Sequence, residues 1–265
     1  MPDDQPTINP TRAKFFQDLR AAVGPEALKT IDPNTTEVHR LPPGGSSSAT
    51  RLEKYPCSTQ KPMPITIAGN PSTVALQVGN GKVITRWKTG PTKTINYAAF
   101  ENGYPEQDIA LLAANKLKEA ADEWNALELG IRFNWVYKIE DAAFVLSYAK
   151  AGISGVLAES FFPNDVDLNV LNVYPSAFKP GTVQYLKNIF LHELGHILGF
   201  RHEFAPEAES QLEAGEVSPR DPISVMGYGF PPTLQESDVK SAQAFYKFQG
   251  RNIGSMDIVE YDAGT

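Results

Sequence analysis

Three of the four histidines in this 265-residue chain fall within eleven residues, in the run His192-Glu193-Leu194-Gly195-His196-Ile197-Leu198-Gly199-Phe200-Arg201-His202. That spacing restricts the local fold. On a helix, His192 and His196 lie one turn apart on the same face, so both imidazoles can reach one Zn²⁺ at about 2.0–2.1 Å. Leu191, Leu194, Ile197 and Leu198 form the core-facing stripe of the same helix and leave the histidines on its other face. Gly199 can adopt the left-handed conformation that ends a helix and turns the chain back, which brings His202 to the metal as a third ligand. Three neutral ligands leave a fourth position open to water, the arrangement of a catalytic centre and not of a closed structural one. Glu193 follows His192 directly and can lean over the metal without binding it, where a general base is needed.

Composition narrows the setting of this cluster. The chain carries 24 basic and 31 acidic residues, a net charge of -7, so it has no basic field to hold nucleic acid or a membrane surface. A single cysteine, Cys57, rules out an intrachain disulfide framework. No apolar run reaches the roughly 18 residues of a membrane span. The start, Met1-Pro2-Asp3-Asp4-Gln5-Pro6, lacks the charge and apolar run of a secretory signal. The chain is therefore expected either to stay inside the cell or to be exported with its signal already removed. Its sequence sets no oligomeric state.

Eleven of the 21 prolines lie in the first 75 residues, and Pro42-Pro43-Gly44-Gly45-Ser46-Ser47-Ser48 reads as a linker. Residues 1–75 are thus expected to be an N-terminal extension or prosegment, 76–250 the folded catalytic domain, and 251–265 a C-terminal tail. Within the extension, Phe15, Phe16, Leu19, Ala22 and Val23 recur at helical spacing. This predicts one amphipathic helix over Arg12 to Leu28, either docked on the domain or without a partner. In the domain, residues 82–97 predict one or two strands broken at Gly90-Pro91, and Ile109 to Leu127 an amphipathic helix stopping by Gly130. Strands are predicted over Ile131–Tyr137, Ala143–Tyr148 and Val166–Val173. The histidine helix is expected to open at Thr182 as N-cap, and a last helix to follow Ser237. The fold class is α+β.

Downstream stands Ser224-Val225-Met226-Gly227-Tyr228, its methionine 24 residues after His202. With the extended histidine motif, this resembles the metzincin clan of zinc endopeptidases, which carry a methionine turn beneath the metal. The resemblance implies a twisted, mostly parallel sheet with an antiparallel edge strand, an active-site helix, a Met-turn and a C-terminal helix. It implies that Met226 floors the three imidazoles and that Tyr228 is a switchable ligand that hydrogen-bonds the tetrahedral intermediate, as in astacins and serralysins. Gly155-Val156-Leu157-Ala158-Glu159-Ser160-Phe161-Phe162-Pro163 is similar to the edge segment of matrix metalloproteinases, which implies that Val156, Leu157, Ala158 and Glu159 bind substrate as an added strand. The stretch from Arg86 to Tyr97 resembles the first strand of those domains. Phe230 and Pro231 would shape the pocket for the side chain after the scissile bond. Cys57, ahead of the domain in Tyr55-Pro56-Cys57-Ser58, looks like their latency cysteine, although the arginine, glycine and aspartate of that motif are missing.

Some family features are absent. Glu203 looks like the astacin residue after the third histidine, but astacin disulfides cannot form with one cysteine. His39 alone cannot supply the second, structural zinc of matrix metalloproteinases, and serralysin calcium repeats are missing. Calcium has no support beyond Asp165 and Asp167, which read as solvated loop carboxylates. The expectation is one Zn²⁺ and a peptidase acting on extended protein or peptide substrates, made as a latent zymogen if Cys57 ligates the metal. Cys57 as a free thiol, or an acidic residue of the extension as the blocking group, stays open. So does an inactive zinc-binding or interaction module of the same fold, which Glu193 argues against. A zinc enzyme with a glutamate as third ligand is opposed by Gly199 and His202.

Overall fold

The computed structural model describes residues 10–35, 57, 83–150, 155–202, 223–227, 229–254 and 256–263. The linker at 42–48, His39, Glu203, Tyr228 and the boundary near residue 75 lie outside the described residues. Among the described residues, no helix is long and apolar enough to cross a membrane.

The two strands expected around Gly90-Pro91 are β1 (Val83–Trp87) and β2 (Thr94–Ala99). Next come α2 (Gln107–Asn125), β3 (Arg132–Trp135), β4 (Phe144–Tyr148), β5 (Ala158–Glu159) and β6 (Asn169–Val173). Five of these strands form one sheet in the order β3-β2-β4-β6-β5. β2, β3, β4 and β6 run parallel, and β5 closes the edge antiparallel, with Ala158 opposite Val173 and Glu159 opposite Asn172. The parallel members are joined by crossovers, and α2 is the one between β2 and β3. Its apolar face, with Ala113, Leu117, Ala120 and Trp124, is buried together with the core face of the histidine helix α3 (Leu186–Ile197).

Several boundaries differ from the sequence reading. α2 stops at Asn125 because that side chain turns away to clamp the next strand, accepting from Phe133 N at 2.8 Å and donating to Phe133 O at 2.9 Å. β6 begins at Asn169, later than Val166, because the Asn164 and Asn169 amides pair with each other at 3.1 Å and hold residues 164–168 as a loop. The edge segment is a strand for only two residues. Finally, β1 is not part of the main sheet. It pairs in parallel with β8 (Met256–Tyr261), which also pairs antiparallel with β7 (Asn252–Ile253), in a three-stranded sheet. Residues expected to be a tail are thus strands, and ion pairs from Arg86 to Glu260 (2.6 Å) and from Lys88 to Asp262 (2.6 Å) fix their register.

The extension has a docked part. α1 (Pro10–Val23) buries Phe16 and Arg12 against the domain, and the following chain adds a backbone bond from Ile31 N to Ala99 O. The Arg12 guanidinium donates to the carbonyls of Glu140, Ala142 and Asp167 and stacks over the Phe16 ring at 5.1 Å. Replacing Arg12 by Met removes the donor from three carbonyls at once, so Arg12→Met should cost roughly 2–4 kcal/mol. Thermal unfolding should drop by several degrees, and limited proteolysis should attack residues 10–35 first. An unchanged melting temperature would mean that α1 is not anchored by this residue.

Candidate metal centre

The site rests on how α3 begins and ends. Thr182 does not cap it by side chain. Its hydroxyl lies 2.7 Å from the Ser176 carbonyl and 2.9 Å from that of Lys179, and the chain enters α3 through a short 3-10 turn, Val183–Tyr185. At the other end each of the last four carbonyls has a partner. Phe200 N donates to Gly195 O (2.9 Å) and Gly199 N to His196 O (2.8 Å), with Gly199 at φ 96°, which is a Schellman ending. The Trp87 indole donates to Ile197 O (2.6 Å) and the Tyr246 hydroxyl to Leu198 O (2.8 Å). Tyr246 belongs to α4 (Glu236–Lys247), the expected C-terminal helix. A Cβ on Gly199 would lie 2.6 Å from the Thr85 carbonyl oxygen, so the turn requires glycine for both its φ and its room.

The turn returns the chain to the helix face. His202 Nε2 lies 3.0 Å from His192 Nε2, and His196 Nε2 lies 3.1 Å from His192 Nε2. All three rings are buried. Burial pushes His192 down to about 4 and holds His196 and His202 well below the usual histidine range, so all three are neutral near pH 7. His192 Nδ1 sits 2.7 Å from Val225 O and His196 Nδ1 2.8 Å from Phe200 O. A carbonyl can only accept, so these contacts place the ring protons on Nδ1 and leave the Nε2 lone pairs facing one another. Such a cluster repels itself unless a cation lies between the nitrogens. Tetrahedral zinc with bonds of about 2.0–2.1 Å would space its nitrogens by about 3.3 Å, close to what is found. The donor set therefore fits a zinc ion, with a carbonyl behind each of these two rings holding its orientation.

Cys57 joins this group. Its sulfur is 3.6 Å from His196 Nε2, and one ligand atom from each of Cys57, His192, His196 and His202 lies within 4.8 Å of all the others. Glu193 is fully buried beside them, with Oε1 3.4 Å from the Cys57 sulfur.

Met226 packs so closely on α3 that a Cβ at Gly195 would stand 2.4 Å from its sulfur. Glycine at 195 is what admits the methionine. The turn carrying it is held by Asp238 of α4, whose carboxylate accepts from Ser224 Oγ (2.6 Å), Val225 N (2.9 Å) and Gln235 N (2.8 Å). Asp238 thereby supports the Val225 carbonyl that orients His192. The edge segment also borders the site. Val156, Leu157 and Ala158 are buried, Glu159 is half-buried and accepts from Asn172 Nδ2 at 3.1 Å, and the Phe162 ring meets that of His196 edge-on at 5.5 Å. Phe230 packs edge-on against Tyr185 at 5.2 Å and precedes Pro231, and Asn188 of α3 donates to Pro232 O at 2.9 Å.

Sequence reading missed Asp238 and Ser160. Ser160 Oγ lies 2.8 Å from Glu193 Oε2 and 3.0 Å from Glu193 O. Neither residue had a spacing signal, since both reach the site only through the fold.

No family model and no curated protein matches this chain. Among solved structures it is similar to myroilysin, at 18% identity over 62% of this chain and 96% of that one, with a TM-score of 0.45. It is also similar to high choriolytic enzyme 1, a hatching enzyme zinc-protease from Oryzias latipes (Medaka fish), at 14% identity over 65% of this chain and 98% of that one, again with a TM-score of 0.45.

The Gly199 turn can be tested directly. Gly199→Ala should destabilise the protein by roughly 2 kcal/mol or more, because it adds both a strained φ and a backbone clash. It should also weaken zinc binding measured by competition with a chromophoric chelator. A variant that melts and titrates like the wild type would show that the turn does not set the His202 position.

Proposed function

We propose that this chain is a zinc-dependent endopeptidase that hydrolyses extended protein or peptide substrates and is held latent by its own Cys57. One observation carries the reading. Three buried, neutral imidazoles converge through their Nε2 atoms, and a buried carboxylate that is not one of the converging ligands stands beside them. His192, His196 and His202 would hold the ion. A zinc ion there supplies Lewis acidity, lowering the pKa of a bound water and polarising a carbonyl.

The chain's own groups supply the rest. Glu193 takes a proton from the attacking water and returns it to the leaving amine, which makes departure of a neutral amine feasible. The substrate backbone runs along the edge segment, with Val156 to Glu159 offering the strand to pair with. Phe230 and Pro231 wall the pocket for the residue after the scissile bond, and Met226 forms the floor. Tyr228 is assigned the oxyanion donor two residues beyond Met226. Calcium has no role in this reading.

Latency follows from the place of Cys57. A thiolate is a strong zinc ligand, and the Cys57 sulfur occupies the space beside Glu193 Oε1 where the attacking water would have to stand. While the thiol stays there, the base has no water to act on.

Incubating the purified chain with a peptide library, with and without chelator, and mapping cleavage by mass spectrometry tests the activity. Glu193→Ala should keep one zinc per chain and lose turnover by on the order of 10²–10⁴-fold. Undiminished cleavage would remove Glu193 as the base. Full-length Cys57→Ala should cleave without prior proteolysis, whereas the wild type should need a thiol reagent or removal of its extension. If Cys57→Ala is as latent as the wild type, another group blocks the site.

A further inference from the structure

We propose that Ser160 is the positioning residue for Glu193, fixing one carboxylate oxygen so that the other is presented to the attacking water. This rests on the peptidase reading above. A glutamate side chain ends in a soft torsion about which its two oxygens exchange freely. A buried carboxylate also needs donors, because desolvation without them is costly. In this site the two oxygens are divided between different neighbours. Oε2 lies 2.8 Å from the Ser160 hydroxyl, and Oε1 lies 3.4 Å from the Cys57 sulfur, on the side of the converging ligand atoms. The Ser160 hydroxyl is also 3.0 Å from the Glu193 carbonyl but has one hydrogen to give, and an ionised carboxylate is the stronger acceptor. The hydroxyl therefore donates to Oε2 and sets the carboxylate plane.

Ser160 is itself well placed for this. It follows β5 directly, and β5 is held in register on β6, with Tyr174 N donating to Leu157 O at 2.9 Å. After it, Phe161 packs against Phe144 at 5.7 Å and Phe162 against His196 at 5.5 Å. The hydroxyl is thus positioned by the main sheet, and Glu193 by α3. Their hydrogen bond ties the base to the same edge on which the substrate would lie. Proton transfer needs heavy-atom separations near 2.6–3.2 Å, so a carboxylate that wanders by an ångström loses rate without losing substrate affinity.

The test uses the full-length Cys57→Ala chain as parent, with Ser160→Ala and Ser160→Thr added. Ser160→Ala should lower kcat by on the order of tenfold, with KM within about twofold and zinc content unchanged. Ser160→Thr, which keeps the hydroxyl, should restore most of the loss. Crystal structures of the metal-free parent and Ser160→Ala give a readout that needs no turnover: the Glu193 carboxylate should hold one orientation in the parent and leave it in the variant. An unchanged kcat, a loss confined to KM, or a carboxylate that stays in place without the hydroxyl would each overturn the assignment. If the Cys57→Ala parent cleaves nothing, the assignment of latency to Cys57 fails, and the carboxylate orientation alone then decides the role of Ser160.

Discussion

The end of α3 is the constraint on which the centre depends. A helix end exposes four carbonyls, and burying them unpaired would cost more than the surrounding packing returns. Here the four are satisfied from three directions: by the Schellman turn of the chain itself, by Trp87 of β1 and by Tyr246 of α4. The two side-chain donors come from residues more than a hundred positions upstream and nearly fifty downstream. The turn that carries His202 to the other histidines is therefore tied to both β1 and α4. This gives the small β1-β8-β7 sheet a purpose, since it holds Trp87 under the helix end and Thr85 against Gly199.

A second support line runs from α4. Asp238 holds the turn at Ser224 and Val225, the Val225 carbonyl orients His192, and Met226 fills the space opened by Gly195. Each member of this line is a buried or half-buried polar group paired with another, or a sulfur packed against bare backbone. Losing one leaves a neighbour unsatisfied, so the line should behave as a unit and its single-site effects should not add.

These two lines also explain what the sequence made legible. The histidine helix, its glycine ending and the core stripe were readable because helical periodicity and a glycine break are local signals. So were the parallel strands rich in Val, Ile and Phe. Thr182 as N-cap failed because two nearby carbonyls, Ser176 and Lys179, compete for its hydroxyl. The tail failed because Met256 to Tyr261 gains its strand identity from pairing with β1, some 170 residues away. Asp238 and Ser160 were invisible for the same reason. A polar residue in a helix or after a strand carries no mark of the distant group it will meet. Cys57 was expected at the metal from its place ahead of the domain and its resemblance to a latency cysteine, whereas its contacts with Glu193 and His196 are a property of the fold.

Charge balance links the latent and open forms of the proposed centre. Burial keeps the three imidazoles neutral, so they contribute nothing to offset a dication. If Glu193 is ionised and Cys57 binds as thiolate, their two negative charges would balance a doubly charged ion. An uncharged buried cluster avoids most of the cost of desolvated net charge. Replacing the thiolate by neutral water leaves one positive charge, which a peptide carbonyl, with its negative end toward the ion, is suited to meet and a second amine is not. In the proposed latent form, a thiolate that completed the charge balance would also determine what is missing when it leaves: an oxygen that gains negative charge as it reacts.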